Sequence, residues 1–413
     1  MSSSSTHPNC TRIPLLQFPQ LVRNEIFEYW DIFEIYQFST LSKVTKSISK
    51  NMKKPKTSMT LTPFGEYYQI SLEADEDEKS YKSWIFSMCP SPEVWNQLLN
   101  KKKKHYTQSY DYVYHPVFAE NSVRTFGSLV EHVQDVFAQK IEQVDLFDCW
   151  MNREIDGEEL KSYLNWFNGY KKLGKIRKLR VITGSAFKEI LENWKVDVGI
   201  LDARPIDSEV CTVDFKVDHL RTQDCVRWVD FNVLRRFDCV EARVDSRFSN
   251  EDMNLFLKDW KEGKSYNRVY CFDLGMSERA KWKKMLEGLD AELRDLRKVR
   301  RTFRFNDTRQ VRQVWDFHGG FDIRRIDGKV ATIGHRYFHT TYEILPLEPR
   351  MLEEYDRVVR VWNSEDKDDE EEIEDVIVVP EGATNEYYTE QRYVEDNKRE
   401  RRLGRRNFMM IVW

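Results

Sequence analysis

The sequence predicts an α/β protein in which three short N-terminal helices precede a series of strand–helix units and a C-terminal β-hairpin. Three observations predict this: a four-residue apolar period near the N-terminus, a recurring apolar pattern through the middle of the chain, and an Asp-Gly turn signal near residue 328. The 413-residue chain is 40% hydrophobic, which is enough to build a core and excludes a wholly disordered protein. Its length suggests two or three domains of about 150 residues each.

The charge and cysteine content exclude several classes of protein. A net charge of −4 gives no overall cationic field of the kind that holds a protein on nucleic acid. Met1–Pro8 lacks a secretory apolar core, and no apolar run approaches the ~18 residues of a membrane span. The seven cysteines are scattered without C-x-x-C spacing and are typical of reduced thiols. We therefore expect a cytoplasmic and/or nuclear protein without a membrane or nucleic-acid partner.

Catalytic motifs are missing from the sequence. It contains no G-x-S-x-G, H-E-x-x-H or G-x-G-x-x-G. Gly263-Lys264-Ser265 imitates the end of a phosphate-binding loop, but Lys258 occupies the position of the required glycine, and a helix end is the better interpretation of Gly263. His335 and His339 lack a Cys or carboxylate that would complete a metal site. We expect no catalytic residue, no metal, no cofactor and no enzymatic activity.

Residues 13–52 predict three short helices with more apolar surface than such a small unit can bury. Phe18-Pro19 opens the first helix, and Asp31 with Glu34 has the spacing of a capping box for the second. The three helices carry these apolar side chains: Leu21, Val22, Ile26, Trp30, Ile32, Phe33, Ile35, Tyr36, Phe38, Leu41, Val44 and Ile48. The excess indicates a partner, or alternatively packing on the following domain.

The same residues resemble an F-box, and the likeness is greatest to the nematode F-box family. The matching residues are Leu15-Leu16-Gln17-Phe18-Pro19, Leu21, Ile26, Trp30-Asp31, Glu34, Ile35, Phe38-Ser39, Ser42-Lys43 and Thr45-Lys46. The resemblance implies docking on a Skp-type adaptor, which links the chain to a cullin complex. A helix-in-groove contact would then use Phe18, Pro19, Leu21, Val22, Ile26, Ile35 and Phe38.

An apolar-x-x-apolar-x-apolar pattern recurs through the middle of the chain at intervals of about 30 residues. It appears as Ile141/Val144/Leu146, Ile176/Leu179/Val181, Val210/Val213/Phe215, Phe237/Val240/Ala242 and Val269/Phe272/Leu274. Helical stripes separate most of these segments, among them one capped by Asp156 and one capped by Ser249. Strands joined through helices run parallel, so the pattern predicts an irregular leucine-rich-repeat-like α/β solenoid with a parallel sheet. It is irregular because only Cys149 stands where strict repeats place Asn or Cys.

One set of strand positions is a candidate substrate-binding row. The residue between the last two apolar positions of each strand is expected to point outward. These residues are Asp145, Arg180, Asp214, Glu241 and Asp273. This mostly acidic row predicts a target with a basic or mixed surface, although outward strand positions can also be merely solvated.

Two further motifs resemble the F-box-associated domain, type 2. Asn254-Leu255-Phe256-Leu257-Lys258-Asp259-Trp260, followed by Gly263 and the strand Val269–Leu274, resembles its signature. Phe321–Ile333 resembles its usual ending. The resemblance implies a domain that holds a target protein.

The last quarter of the chain carries a hairpin signal and two runs of opposite charge. Asp327-Gly328 between two apolar segments predicts a two-residue β-hairpin turn. Glu365–Asp375 is acidic and Lys398–Arg406 is basic, which indicates a solvated tail.

These observations predict five regions. They are a disordered N-terminus (1–12), an F-box (13–52), a connecting region with short strands (53–119), an F-box-associated repeat-like domain (120–345) and a mostly disordered charged tail (346–413). The sequence as a whole predicts a substrate-receptor subunit of an SCF-type (cullin-RING) ubiquitin ligase, with an unidentified target protein. Two alternatives are a repeat-type interaction scaffold without a ligase role, and a nucleic-acid-associated protein acting through Lys398–Arg406.

Overall fold

The computed structural model describes most of the chain and divides it into two compact units. The described residues are 15–63, 68–74, 81–96, 110–119, 122–147, 156–205, 211, 213, 216–222, 228–306, 312–335, 339–340, 347, 349–364 and 407–413. Unit 1 is Met1–Glu142 and unit 2 is Gln143–Trp413. None of the helices in the described ranges is long and apolar enough to cross a bilayer.

Unit 1 begins with the three predicted helices. A 3-10 turn at Leu15–Gln17 leads into α1 (Gln20–Phe27), α2 (Ile32–Thr40) and α3 (Lys43–Asn51). The predicted capping box of α2 is present, because the Glu34 amide donates to the Asp31 carboxylate and the Asp31 amide to the Glu34 carboxylate, both at 2.8 Å. A second box at the start of α3 pairs Ser42 with Thr45. These caps satisfy helix N–H groups that would otherwise lack partners.

The rest of unit 1 is a small sheet with one long helix. Its elements are β1 (Thr57–Thr62), β2 (Gln69–Ala74), β3 (Tyr81–Cys89), a short helix α4 (92–96), β4 (Tyr110–Phe118) and α5 (Val123–Phe137). Strands β1, β2 and β3 pair antiparallel, and β4 lies parallel to β3.

The N-terminal helices share a core with these strands and with α5. The ring of Phe33 stacks on His115 of β4, with centroids 5.0 Å apart, and Tyr36 packs edge-on against Phe86 of β3 at 4.8 Å. The hydroxyl of Ser39 lies 2.7 Å from Nε2 of His132 on α5. One face of α2 is therefore buried inside unit 1.

Unit 2 contains the predicted parallel sheet. Strand β5 (Ile141–Phe147) begins two residues before unit 2, and the next elements are α6 (Gly157–Gly169), β6 (Ile176–Ile182), α7 (Phe187–Asn193), β7 (Val198–Ala203), β8 (His219–Arg221), α8 (Phe231–Arg236), β9 (Glu241–Phe248), α9 (Asn250–Lys261) and β10 (Cys271–Met276). Each strand from β5 to β10 pairs in parallel with the next along the chain. A line of buried apolar residues crosses the sheet in register: Val144, Leu179, Leu201, Leu220, Ala242 and Phe272.

Two of the five predicted repeat positions were wrong. Cys211 and Val213, the described residues of the segment expected as the third strand, are not in a strand, and the next parallel strands after β6 are β7 and β8. The segment predicted as the fourth strand corresponds to β9, which begins at Glu241. Its inward residues are therefore Ala242 and Val244 and not Val240 and Ala242. The same apolar pattern fits the observed strands as Val198/Leu201/Ala203 and Cys239/Ala242/Val244. A chain this rich in apolar residues matches the pattern at more than one place, so the pattern alone did not determine the strand positions.

The end of unit 2 completes the sheet with antiparallel strands. These elements are α10 (Trp282–Met285), β11 (Glu292–Arg294), β12 (Arg300–Asn306), β13 (Arg312–His318), β14 (Gly320–Arg324), β15 (Val330–Gly334), β16 (His339–Thr340), α11 (Pro349–Asn363) and β17 (Asn407–Val412). In the large sheet β17 lies between β10 and β15, antiparallel to both, and β14 and β11 follow. Strands β12, β13 and β16 form a second small sheet.

The predicted hairpin is present, with a turn different from the one expected. β14 and β15 pair antiparallel from Phe321/Ile333 to Arg324/Val330. The Gly328 amide donates to the Arg325 carbonyl at 3.0 Å, which makes Ile326 and Asp327 the central turn residues. Gly328 follows them with a φ of +92°, a value that a residue with a side chain rarely adopts.

Two ordered elements lie in the segment expected to be mostly disordered. Helix α11 buries Met351, Tyr355 and Val358, which recur with helical spacing. Strand β17 buries Phe408–Ile411 within the sheet. The expectation of disorder rested on the charged runs of this segment, although the apolar residues Phe408–Trp413 already suggested a docked end. Both charged runs, Glu365–Asp375 and Lys398–Arg406, lie outside the described residues.

Candidate protein-interaction surfaces

The N-terminal helices expose several large apolar side chains. Leu21 is 75% exposed, Leu41 73% and Val44 61%, although aliphatic side chains of this size are usually buried. Tyr29, Leu16 and Val22 are also exposed. We call Leu16, Leu21, Val22, Tyr29, Leu41 and Val44 the N-terminal apolar side chains.

The predicted adaptor contacts differ widely in accessibility. Pro19, Leu21 and Val22 are exposed, and Phe18 and Ile26 are half-buried. Ile35 and Phe38 are buried inside unit 1. Phe38 contacts the rings of Phe27 and Trp30, with centroids 5.7 and 5.1 Å apart. The accessible apolar surface of this region therefore belongs mainly to α1 and to Leu41 and Val44.

A charged row runs across the parallel sheet of unit 2. The strand register places Asp145, Arg180, Asp202, Arg221, Arg243 and Asp273 side by side. Three of the predicted row residues, Asp145, Arg180 and Asp273, belong to this row. Asp214 lies outside the described residues. Glu241 is one row away, opposite His219 and Cys271, because the register of β9 differs by two residues from the prediction.

The observed row contains three aspartates and three arginines, whereas the predicted row was mostly acidic. Asp202 is the centre of one cluster, with its carboxylate 3.3 Å from Nζ of Lys178, 3.4 Å from Nε of Arg180 and 3.2 Å from Nε of Arg204. Arg180 also lies 3.8 Å from Asp145. Burial lowers the pKa of Lys178, and the nearby Asp202 carboxylate opposes that effect.

Glu241 is the centre of a second cluster. Its carboxylate lies 2.9 Å from Nε of Arg243, 3.2 Å from Nδ1 of His219 and 3.8 Å from Arg221. Burial alone would raise the pKa of Glu241, but the hydrogen bond from His219 and the two arginines hold it below its ordinary value. The guanidinium of Arg243 also lies 4.7 Å from the ring centroid of Trp315 on β13. We call Asp145, Lys178, Arg180, Asp202, Arg204, His219, Arg221, Glu241 and Arg243 the charged sheet face.

Sequence reasoning missed Lys178, Asp202, Arg204, His219, Arg221 and Arg243. The repeat pattern itself could have identified one of them, Asp202. Once β7 is aligned on Val198/Leu201/Ala203, Asp202 takes the same position as Arg180 in β6 and Asp145 in β5.

The remaining polar groups of interest in unit 2 are structural. Within the described ranges, no group of three or more His, Cys, Asp or Glu side chains could hold a metal ion. His335 is fully buried with its Nε2 3.4 Å from Glu354, which also pairs with Arg357 of α11. Cys89 of unit 1 and Cys211, Cys239 and Cys271 of unit 2 are buried thiols, and burial raises the pKa of Cys211 and of Cys239 to about 12.

Comparison with known proteins relates part of unit 2 to a described family. No curated protein and no solved structure matches the chain. Residues 212–273, which include β8, α8, β9 and α9 and the start of β10, match the family model described as F-box associated. This part of unit 2 is therefore similar to an F-box-associated domain, a kind of domain that suggests a protein partner.

Proposed function

We propose that the chain is a substrate-receptor subunit of an SCF-type (cullin-RING) ubiquitin ligase. In this proposal residues 13–52 act as an F-box that binds a Skp-type adaptor, and unit 2 binds the target protein through its leucine-rich-repeat-like sheet. The chain itself is non-catalytic and works in the cytoplasm and/or nucleus. Other subunits transfer ubiquitin, and the receptor contributes by holding the target close to them.

The observation that carries the proposal is the pairing of two features in one chain. The N-terminal helices expose several large apolar side chains within one short stretch of sequence, among them Leu21, Leu41 and Val44, and such an accumulation indicates a partner. The same chain matches an F-box-associated family model over residues 212–273. A groove-shaped adaptor that covers amphipathic helices would explain the first feature, and a target-binding domain would explain the second.

The test is retention of a purified Skp-type adaptor by the full-length chain. We expect wild type to retain the adaptor and the double variant Leu21→Asp/Val22→Asp to lose it by more than about tenfold, because burying each aliphatic side chain is worth roughly 1.5–3 kcal/mol. Leu255→Asp is the matched control, since Leu255 is an exposed leucine on helix α9 of unit 2 and is 51% exposed. Equal retention by all three proteins, or none by wild type, would contradict the proposal.

One observation favours a second function, an interaction scaffold without a ligase role. Ile35 and Phe38 are buried, and α2 packs on β3 and β4 through Phe33 and Tyr36. This is the arrangement expected if the helices only complete their own unit. Binding of a target protein by a wild-type chain that retains no adaptor would favour the scaffold.

A further inference from the structure

On the charged sheet face the arginine side chains are more exposed to solvent than most of the acidic side chains. The side chains of Arg180, Arg204, Arg221 and Arg243 are 24–32% exposed. The side chains of Asp145, Asp202 and Glu241 are only 3–10% exposed. These three carboxylates thus lie beneath the guanidinium groups, whereas Asp273, the neighbour of Arg243 in the row, is half-buried and adds an acidic group at that edge. At the far end of β9, Asp245 and Arg247 are both exposed and add one charge of each sign.

The buried Asp202 carboxylate fixes Arg180 and Arg204 in place and leaves part of each guanidinium able to bind. Arg180 and Arg204 both approach Asp202 through Nε. A guanidinium has five N–H donors, so these contacts use only part of its capacity. Arginines held by an ion pair or, like Arg243, against an aromatic ring lose less entropy when they bind an anion.

We propose that the charged sheet face binds an acidic peptide segment of the target protein. The guanidinium groups of Arg180 and Arg204 would donate forked hydrogen bonds to carboxylates of the segment, and Arg221 and Arg243 would add positive charge beside them. This inference rests on the proposed receptor function and names the chemistry of its substrate. It also reverses the charge of the target expected from the sequence, where the predicted row was mostly acidic.

Charge complementarity favours an acidic peptide over nucleic acid. Nucleic-acid binding draws on a wide cationic field, whereas this chain carries a net charge of −4 and the sheet face holds carboxylates beneath its arginines. A flexible acidic peptide can place its carboxylates on a few arginines and keep the rest of its length away from those acids.

The experiment measures binding of a fluorescein-labelled poly-glutamate peptide to the full-length chain by fluorescence anisotropy. Wild type is expected to bind it, more weakly as salt rises, and not to bind poly-glutamine of equal length. The double variant Arg180→Gln/Arg204→Gln is expected to bind about tenfold more weakly. Arg180→Lys/Arg204→Lys, which keeps both charges, is expected to recover part of that loss.

The matched control removes the same charge elsewhere in unit 2. Lys172 follows α6 and Arg236 ends α8, and both side chains are exposed. Lys172→Gln/Arg236→Gln is expected to bind as wild type does. Equal losses in both glutamine double variants would overturn the proposal, because they would reflect net charge alone. A circular-dichroism melt shows whether each variant is folded.

Other occupants give different outcomes. Tighter binding of a poly(A) RNA than of poly-glutamate, with the same dependence on Arg180 and Arg204, would overturn the proposal in favour of nucleic acid. Poly-glutamate binding that appears only after neutralisation of Glu365–Asp375 would overturn the proposal, because the chain's own acidic run would then be the segment that the face binds. Adaptor retention is measured on the same proteins. If wild type binds poly-glutamate but does not retain the adaptor, only the receptor role is contradicted. If wild type retains the adaptor but does not bind poly-glutamate, only this inference is contradicted.

Discussion

Asp202 shows how a single carboxylate organises the charged sheet face. It is 5% exposed and lies within 3.4 Å of the side-chain nitrogens of Lys178, Arg180 and Arg204. A buried carboxylate without a cation beside it would lower the stability of the fold by several kcal/mol. At least one of the three cations must therefore remain, but no single one of them is indispensable. Neutralising Arg180 and Arg204 together leaves Lys178 in place, which is why that double variant is expected to remain folded.

Asp135 is a charged residue that connects two helices of unit 1. It lies on α5 and forms ion pairs with Lys50 at 2.7 Å and Lys46 at 2.9 Å, both on α3. The hydrogen bonds from Lys50 and Lys46 lower the pKa of Asp135 to about 2. These contacts connect the N-terminal helices to α5.

We expect Asp135→Asn to lower the free energy of unfolding by about 1 kcal/mol at neutral pH, a value reduced for solvent screening because the side chain is a third exposed. A carboxyl with a depressed pKa stabilises the folded state above its ordinary pKa, and this contribution falls as the pH drops from about 4 towards 2. Urea unfolding should show a smaller difference in free energy of unfolding between wild type and Asp135→Asn near pH 3 than at neutral pH. Glu131→Gln, an exposed change on the same helix, should show little effect at either pH. A deficit that does not depend on pH would contradict the ionic explanation.

At the scale of elements, two helices of unit 2 that look alike in the sequence are capped differently. Asp156 before α6 and Ser249 before α9 were both predicted as N-caps. Ser249 forms a full capping box with Asp252, whereas the side chain of Asp156 makes no capping hydrogen bond. The sequence predicts which residues can cap, but the rotamer that makes the hydrogen bond depends on the preceding loop.

We expect Ser249→Ala to lower the free energy of unfolding by about 1 kcal/mol, because it removes an acceptor for helix N–H groups. Asp156→Ala is the matched control and should cost clearly less. Urea-unfolding midpoints of the two variants and wild type provide the measurement. Equal losses would mean that the two caps contribute alike.

For the whole molecule, features that depend on neighbouring residues were predicted better than features that depend on residues far apart in the sequence. The capping box at Asp31, the hairpin near Gly328 and the strands at Ile141 and Ile176 all follow from a few neighbouring residues. The sheet partner of β17 could not be predicted, because nothing local specifies that Asn407–Val412 pairs with strands far away in the sequence. The charged sheet face was only partly predicted, since a two-residue error in register moved Glu241 to another row.

Strand β17 is expected to be essential to unit 2. Phe408, Met409, Met410 and Ile411 are fully buried, and burying each side chain is worth roughly 1.5–3 kcal/mol against a typical total stability of about 5–15 kcal/mol. We expect deletion of Asn407–Trp413 to abolish the cooperative thermal transition of unit 2. Trp413→Ala, which removes a partly exposed ring and its hydrogen bond to Thr332, is the milder control. A deletion variant that melts like the control would contradict the role given to β17.

The position of β17 also has a consequence for the nascent chain. Strands β10 and β15 are both paired to it, so the ribosome must have passed residue 412 before the hydrogen-bond ladders on its two sides can form. Until then the facing edges of β10 and β15 lack this partner, and unpaired strand edges favour aggregation. Such distant pairing is slow, so we expect unit 2 to need chaperones during synthesis.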